Sequence, residues 1–533
     1  MTAKAAKTFH ITKLKSFKNM KKITMICMAA MLLLAASCKK EEQVNENGVG
    51  EFSFSVKTET SDSDSKTHLA GTSVVWDNDD VIKVINKDGT ALDFTFSKYV
   101  MSSDASTAEF NSENVTADFF KPPYTGYYPS DLNPSNYSLL QTQTYSAEGF
   151  AAGANPMIAT NANNKNLYFK NACGLLRLDL YGAGAPVKIK SITVRSKKST
   201  DKLWGSGNIN MESGVFTVTS TESNQNVITL NCNNTQVGTK KNEATSFYII
   251  LPAGVLKEGF DVTVTDKYDE TWSRSTTNNC EIHRSMIRRM PTCCVTEVQL
   301  WAGGPYWSTC NIGAETASHY GDYFQWAATS PLYTKENQPS QTGTVQTSIS
   351  GLTAGTDLEY YYQRCCPYLT GGYGQEGQYT TWSKYTAGYS GVLADIDDAA
   401  TQNMGEEWVT PTYQDFVDLA DNTNIVGTTN YHGVQGFFFK DKRDPNNYIF
   451  LPAAGYCEHA TQYFYYEKAS NADNPTANPN AIMVYWNSTL SSHYSGYSIP
   501  YIVECIENSG GGIMLSWWMR SNGLPIRGIK NKK

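Results

Sequence analysis

Charge is scarce in this chain, and arginine is especially rare. Charged residues make up 18% of the 533 residues, the net charge is −7, and no arginine occurs between Cys38 and Gly174. No block of lysine and arginine follows the first forty residues, so we expect no nucleic acid partner. The chain instead carries 33 tyrosines. A tyrosine-rich, charge-poor surface suits an extracellular protein that contacts polar ligands, and it would also suit any large β protein.

Enzyme signatures are also missing. The sequence contains no GxSxG, HExxH or phosphate-loop motif. Its twelve cysteines include no Cys-x-x-Cys pair and no Cys/His spacing typical of zinc. The adjacent cysteines at 293–294 and 365–366 leave any disulfide pairing open. We therefore expect no catalytic residue, no metal and no cofactor, and a protein that is not an enzyme.

The beginning of the chain carries a secretion signal that ends at Cys38. A basic stretch, Met20–Lys22, precedes an apolar run, and small residues at 35–37 stand directly before the cysteine. A membrane helix is the alternative, but the run is too short to span a bilayer comfortably. The segment resembles the lipobox of bacterial lipoproteins, which implies removal of residues 1–37 and lipidation of the Cys38 thiol. Translation starts at Met1 or at Met20.

The residues after the cysteine indicate where the protein goes. Lys39–Gln43 resembles the export signal that sends lipoproteins of Bacteroidota to the outer face of the outer membrane, although a solvated tether would look the same. Residues 38–50 are polar and contain Gly and Asn, as in a flexible linker. We expect an outer-membrane lipid anchor and exposure at the cell surface, with a fimbrium as a further location.

Residues 51 to about 292 have the pattern of β structure. Glu51–Lys57 alternates polar and apolar residues with a period of two. Two apolar runs flank Asp88-Gly89, which is a hairpin signal, and a later hairpin is predicted from 260–264 and 270–274. Many short strands without a long amphipathic helix predict β-sandwiches.

Four segments in this half, taken in order, resemble the fimbrillin family of Bacteroidota. They are Val74–Ile82, Asn155–Ala159, Phe169–Leu176 and Tyr248–Gly254. The resemblance implies two tandem β-sandwiches, at 51–165 and 166–292, and a role in fimbriae or surface adhesion. It also implies other fimbrillin subunits as partners.

Residues 296 to about 530 contain most of the tryptophans and long loops rich in Gly, Ser, Thr and Tyr. One helix is predicted to begin with Thr410 as its cap and Pro411 at its first position. A shorter helix is expected over 396–404, with Asp395 as its cap.

Eight blocks in this half resemble the major paralogous domain of Fibrobacter succinogenes, a relative of C-type-lectin-like and formylglycine-generating-enzyme-like folds. The resemblance implies an α+β, lectin-like domain over 296–530. The blocks are Trp307–Ala314, Tyr320–Trp326, Asp397–Ala400, Trp408–Thr412, Gly433–Phe437, Ile449–Tyr456, Tyr485–Thr489 and Gly523–Arg527.

The chemistry of these relatives is not expected here. Trp486-Asn487-Ser488 resembles the calcium segment of C-type lectins, but Ser488 replaces a carboxylate that calcium would need. The late cysteines lack the paired spacing of the oxidases. Asp395, Asp397 and Asp398 suggest a carboxylate pair, but acids at a helix start complement the helix dipole, and we favour that structural role.

A glycine-rich loop between the family blocks is the expected ligand surface. Loops on a rigid scaffold accumulate binding functions, and aromatic faces stack on sugars or on partner side chains. The ligand, a glycan or a protein, is unknown. The candidate residues are Tyr360, Tyr361, Tyr362, Tyr368 and Tyr373.

Fimbrillins commonly mature by proteolysis after Arg or Lys near the first strand. Here only Lys57 or Lys66 could serve. The favoured hypothesis is a surface lipoprotein that acts as a minor or tip fimbrial component or as an adhesin. A glycan-capture lipoprotein of a polysaccharide-uptake system is the alternative, and an enzyme is the third hypothesis.

Overall fold

The structure is a computed structural model, and it is mainly β, as the alternation of residues predicts. The segments that it describes are 52–58, 69–70, 73–74, 76–101, 104–113, 115–147, 149–150, 154–332, 334, 345–346, 366–371, 381–386, 389, 391–457, 463–465, 483–490, 500–505, 513–517, 520 and 522–530.

The first part of the chain closes into a barrel with the strand order β1-β12-β11-β7-β4-β5-β6. The first predicted sandwich thus takes the form of a closed barrel. Its strands and their neighbours are β1 (Phe52–Thr58), β2 (Leu69–Ala70), β3 (Ser73–Val74), β4 (Val81–Ile85), β5 (Ala91–Met101), β6 (Asp104–Ser112), β7 (Tyr124–Tyr128), β8 (Tyr137–Leu139), β9 (Thr142–Ser146), β10 (Gly149–Phe150), β11 (Met157–Ala162) and β12 (Asn166–Asn171).

The barrel is filled by aromatic rings. Trp76 is fully buried, with its ring centroid 4.9 Å from Phe110, 5.6 Å from Tyr128 and 5.5 Å from Phe169. All three contacts are edge-to-face, the arrangement that aromatic quadrupoles favour. The predicted Asp88-Gly89 hairpin is confirmed, since β4 and β5 pair antiparallel around it and Gly89 has a positive φ of 81°.

Strand β12 shows that the barrel extends past residue 165. It pairs parallel with β1, placing Val56 opposite Leu167, and antiparallel with β11. The sequence places residues 166–171 in the second sandwich, so sheet pairing crosses the predicted boundary. The boundary itself stays a prediction.

The second part is a β-sandwich. A six-stranded sheet, β10-β9-β17-β14-β19-β20, and a smaller sheet, β18-β13-β21 with β22 also on β13, enclose one aliphatic core. Its strands are β13 (Gly174–Tyr181), β14 (Lys188–Ser196), β15 (Gly205–Ile209), β16 (Phe216–Val218), β17 (Val227–Gln236), β18 (Thr245–Leu251), β19 (Phe260–Asp266), β20 (Thr271–Thr276), β21 (Ile287–Arg289) and β22 (Cys293–Cys294).

The distal part, from residue 296, combines short sheets with two α-helices in its described residues, α1 (Ala399–Met404) and α2 (Tyr413–Asn422). A single 3-10 turn, Asp395–Asp397, precedes α1. The strands are β23 (Glu297–Gln299), β24 (Tyr306–Ser308), β25 (Val345–Gln346), β26 (Leu369–Gly371), β27 (Thr381–Trp382), β28 (Thr423–Tyr431), β29 (Val434–Asp441), β30 (Tyr448–Pro452), β31 (Tyr456–Cys457), β32 (Tyr463–Tyr465), β33 (Met483–Leu490), β34 (Pro500–Cys505), β35 (Ile513–Trp517) and β36 (Ile529–Lys530).

Both predicted helices exist, but their predicted caps are wrong. Helix α2 is capped by Thr412, which forms a capping box with Asp415. Helix α1 is capped by Asp398, whose Oδ1 accepts hydrogen bonds from the first helical N–H groups. Thr410 does not cap α2 because its N–H and hydroxyl both donate to Asp398. Asp395 lies in the 3-10 turn instead.

The sandwich and the distal part share buried side chains. Tyr181 and Ala183 from the sandwich lie in one hydrophobic cluster with Ile312, Met404 and Trp408 from the distal part. The Tyr181 hydroxyl also donates to Glu407 Oε1 at 2.6 Å. The predicted boundary near residues 292–296 therefore runs through a packed interface.

Candidate ligand-binding site

Asp397 is the centre of a polar cluster in the distal part. It ends the 3-10 turn before α1 and is only 5% exposed. Its Oδ1 accepts a hydrogen bond from the Tyr368 hydroxyl, and its Oδ2 accepts from Lys384 Nζ and, at 2.6 Å, from the Tyr385 hydroxyl. One buried carboxylate thus holds these three side chains in place.

The charges of this cluster are matched. Burial raises the pKa of Asp397, but the hydrogen bonds from Lys384, Tyr368 and Tyr385 outweigh it and hold that pKa below its ordinary value. The hydrogen bond to Asp397 raises the pKa of Lys384, and burial together with Asp397 raises the pKa of Tyr385 to about 12. At neutral pH the cluster is an ion pair with two neutral tyrosines, not a free acid or base.

A buried cation, Arg520, also contacts the cluster. Arg520 is 1% exposed, and its guanidinium carbon lies 5.0 Å from the ring of Trp326 and 4.1 Å from that of Trp382. Its Nη2 donates to the carbonyl of Tyr385. The stacked guanidinium therefore fixes the backbone that presents Lys384 and Tyr385.

The backbone at two of the tyrosines is in the left-handed region. Tyr368 has a φ of 65° and Tyr385 a φ of 55°. Bulky residues rarely adopt this conformation, at a cost of about 1 kcal/mol or more each. Such strain is retained only where surrounding contacts impose it, and the bonds to Asp397 are such contacts.

Exposed apolar side chains adjoin the cluster. Ile396 is 72% exposed and Val392 is 46% exposed. The hydroxyl of Tyr389 donates to the carbonyl of Val392 at 2.6 Å, and the Tyr389 ring packs on Tyr385. We call this surface the tyrosine patch and define it by Tyr368, Lys384, Tyr389, Val392 and Ile396. Tyr368, Lys384 and Tyr389 are half-buried, and exposed apolar groups next to such a rim are typical of an interaction site.

Of the five predicted ligand-loop tyrosines, Tyr368 lies in the patch, while Tyr360, Tyr361, Tyr362 and Tyr373 fall outside the described residues. Sequence reasoning missed Lys384, Tyr385 and Ile396. The available signal was the aromatic and basic run at 382–389 just before the acidic residues 395–398. That run lies outside the glycine-rich loop on which the prediction is based.

Of the predicted lipidation and cleavage sites near the start of the chain, the structure describes Lys57. Cys38 and Lys66 lie outside the described residues. Lys57 lies within β1, opposite Tyr168 of β12. Proteolysis concentrates at exposed loops and not in paired strands, so cleavage at Lys57 would require this strand to leave the barrel.

The segment Trp486-Asn487-Ser488, which resembles a calcium segment in sequence, is part of the core. Trp486 Nε1 donates to the carbonyl of Phe324 at 2.7 Å, and Asn487 Oδ1 accepts from the N–H of Thr489 at 2.9 Å. Ser488 Oγ donates to the carbonyl of Pro411. Within the described residues, no group of three or more His, Cys, Asp or Glu side chains is placed to hold a metal ion.

Several buried cysteines have free thiols that do not resemble catalytic nucleophiles. Burial raises the pKa of Cys232 to about 12, of Cys294 to about 11 and of Cys310 to about 12. A reactive cysteine needs a lowered pKa so that the thiolate is populated. These three side chains are better explained as small apolar groups of the core.

No helix in the described part of the chain is long and apolar enough to cross a membrane.

Comparison with known proteins finds similarity only among solved structures. No family model matches the chain, and no curated protein matches it. A proposed cell adhesion protein from Bacteroides ovatus is 14% identical, with 44% of this chain and 89% of that chain covered and a TM-score of 0.29. A fimbrial protein from the same species is 12% identical, with coverages of 91% and 100% and a TM-score of 0.26. The tip fimbrial protein Mfa3 of Porphyromonas gingivalis is 9% identical, with coverages of 42% and 81% and a TM-score of 0.21. All three TM-scores are below 0.5, so these similarities establish no shared fold.

Proposed function

We propose that this protein is a cell-surface lipoprotein that acts as an adhesin and binds a host or microbial surface ligand through its distal part. The tyrosine patch is the observation that carries the proposal. It places the exposed Val392 and Ile396 and the half-buried rings of Tyr368 and Tyr389 around Lys384, and rigid aromatic anchors lose little conformational entropy on binding.

The ligand surface is tested by comparing two exposed apolar residues of the distal part. Ile396→Asp places a charge in the patch, and Val426→Asp makes the same change on β28, where Val426 is 44% exposed. Bacteria that display the full chain are measured for adhesion to epithelial cells and to immobilised glycans. We expect Ile396→Asp to weaken binding by about tenfold or more, as at a central contact residue. Equal binding by both variants and the wild type would place the ligand elsewhere.

The lipid anchor is tested separately. Cys38→Ala should abolish palmitate labelling and release the protein from the outer membrane, because the thiol that accepts the lipid is gone. A variant that stays lipidated and membrane-bound would refute the anchor.

Within this function we favour a terminal position in a fimbria, or no polymer, over a stalk subunit. The segment between Cys38 and Gly174 has no arginine for maturation, and the β part runs into a further domain instead of ending as a free donor strand. Purified protein nicked by trypsin should therefore stay monomeric, and SDS-resistant ladders would contradict this. Immunogold labelling decides between a fimbrial adhesin and the alternative, a glycan-capture lipoprotein of a polysaccharide-uptake system.

A further inference from the structure

A cavity of about 630 Å³ lies between the sandwich and the distal part. One wall comes from β14, β19 and β20, and the other from residues 295–298, 309–317 and 441–450. The walls are tied together at their edge by Arg274, which donates to Glu297 Oε1 at 2.8 Å, and by Glu315, which accepts from Lys188 and Tyr268 at 2.9 Å each. The volume is within the range of ligand sites, which occur often at domain interfaces.

Asp266 is a buried carboxylate in this cavity with one oxygen unused. The residue is 8% exposed and lines the cavity. Its Oδ1 accepts the N–H groups of Tyr268 at 2.8 Å and Glu270 at 2.9 Å. Its Oδ2 accepts no hydrogen bond from the described residues, and this oxygen remains accessible to water. Because buried charges are normally paired, this oxygen is the acceptor in the cavity most in need of a donor.

The surrounding charge is negative. Among the described residues that line the cavity, Arg274 is the one cation, and it already pairs with Glu297. Asp441 is neutralised by Arg443. Burial, together with the nearby Glu270 and Asp269, raises the pKa of Asp266 to about 6, although its two backbone hydrogen bonds act the other way.

Three carboxylates of the lining have no lysine or arginine partner in the described part of the chain: Asp266, Glu270 and Asp444. Glu270 Oε1 accepts from the Tyr431 hydroxyl and lies 3.0 Å from His432 Nε2, so it is partly satisfied. Asp444 is exposed at the rim. The deepest uncompensated charge is therefore that of Asp266, and a group that donates hydrogen bonds and carries positive charge would fit it.

We propose that this cavity binds an organic cation, an ammonium or guanidinium group, which donates to Oδ2 of Asp266. The group belongs either to a free polyamine or to a lysine or arginine side chain of a partner protein. This site is separate from the tyrosine patch and does not depend on the adhesin proposal. A neutral sugar would satisfy the oxygen but would leave the charge uncompensated.

The test is a titration of the full chain in detergent by calorimetry. The probes are putrescine, Nα-acetyl-lysine methylamide and Nα-acetyl-arginine methylamide, with maltose as the neutral comparison. We expect binding of at least one cation, with putrescine indicating a free amine and the capped amino acids a protein partner. Failure of all three cations to bind, or binding of maltose alone, would overturn the proposal.

Asp266→Asn and Asp444→Asn are the matched variants, since each removes one negative charge from the lining. The amide introduced by Asp266→Asn keeps an oxygen for the two backbone N–H groups, so the fold is retained. We expect about tenfold weaker cation binding for Asp266→Asn, the loss of a charged hydrogen bond, and a change within about twofold for Asp444→Asn at the solvated rim. Equal binding by both variants would refute the role of Asp266.

A measurement without ligand checks the premise. If Oδ2 of Asp266 has no partner, Asp266→Asn removes an uncompensated charge and should raise the melting temperature at pH 8. A lower melting temperature at pH 8 would show that the carboxylate is already paired within the protein, and would also overturn the proposal.

Discussion

The sandwich and the distal part satisfy their buried backbone groups with different hydrogen-bond partners. In the sandwich, long strands such as β14 and β19 pair from Ile189 to Ser196 with one register shift, and the core between the sheets is mostly aliphatic. In the distal part, many strands are short and much of the described backbone is irregular. There the fully buried side chains include Arg520 and Arg527.

The buried arginines of the distal part donate to backbone carbonyl groups. Arg527, with no exposed surface, donates from Nη1 to the carbonyl of Ser308 at 3.1 Å and from Nη2 to that of Phe450 at 2.9 Å. Buried carbonyl groups need donors, and where no neighbouring strand supplies them a side chain must. The distal part should therefore tolerate changes of polar core residues far less than the sandwich tolerates changes of apolar ones.

The largest effect is expected for Arg527→Lys. Lysine keeps the charge but cannot span both carbonyls with a planar fork, so a buried acceptor loses its donor at a cost of about 3 kcal/mol. Urea denaturation of the full chain measures the loss. Arg195→Lys, an exposed position on β14, is the control and should unfold like the wild type. An unchanged midpoint for Arg527→Lys would mean that the arginine does not support the distal core.

The next largest effect is expected for Asp398→Ala. The substitution removes the cap of α1 and the acceptor of Thr410, with an expected loss of about 2 kcal/mol. Asp395→Ala is the matched control, because it removes the residue that the sequence predicts as the cap. If the two variants lose equal stability in chemical denaturation, the structure's assignment of the cap is wrong.

The contributions of Asp266 and Asp397 to stability should depend on pH in opposite directions. The raised pKa of Asp266 contributes stability that is present below pH 4 and is lost as the pH rises through about 6. The lowered pKa of Asp397 contributes stability that is present above pH 4 and is lost as the pH falls through its folded value. Asp266→Asn should therefore stabilise the protein at pH 8, on the order of 1 to 2 kcal/mol with water in the cavity screening part of the charge.

Asp397→Asn should instead destabilise the protein at pH 8, because it weakens the pair with Lys384. At pH 3 the melting temperatures of both variants should approach that of the wild type. Melting temperatures across this range measure both curves. If the melting temperature at pH 8 changed in the same direction for both variants, the contrast between the two sites would be wrong.

The smallest effect is expected in the sandwich core. Ile192 is fully buried on β14, and Ile192→Val removes one methylene group without changing polarity. The expected loss is about 1 kcal/mol, measured by urea denaturation. A loss as large as that of Arg527→Lys would break the comparison between the two regions.

The strands of the β parts could be predicted because their signals are local. Alternation and turn residues located the β4–β5 hairpin and the β19–β20 hairpin, where Val264 lies opposite Trp272. Sheet partners could not be predicted in the same way. Strand β9 lies parallel to β17, which places residue 142 opposite residue 229. No periodic pattern encodes a pairing across that separation.

The candidate site was predicted only in outline, for the same reason. Tyr368 is predicted as a loop tyrosine, yet its position depends on Asp397, which lies 29 residues away. The sequence pattern makes Asp397 a helix-start acid. The role of a helix-start acid is correct for its neighbour Asp398, the cap of α1. A rule based on sequence spacing alone cannot distinguish these two adjacent carboxylates.

The pairing of β1 with β12 has a mechanical consequence. The two strands run parallel, from Ser55 opposite Asn166 to Thr58 opposite Phe169. If the amino end of the chain is anchored and the distal part holds a ligand, tension pulls β1 toward its start and β12 toward its end. The hydrogen bonds between them then carry the load together in shear, instead of opening one by one as in a peeled hairpin. In a force-spectroscopy experiment, the barrel should therefore act as a clamp that resists extension until β1 slides out as a whole.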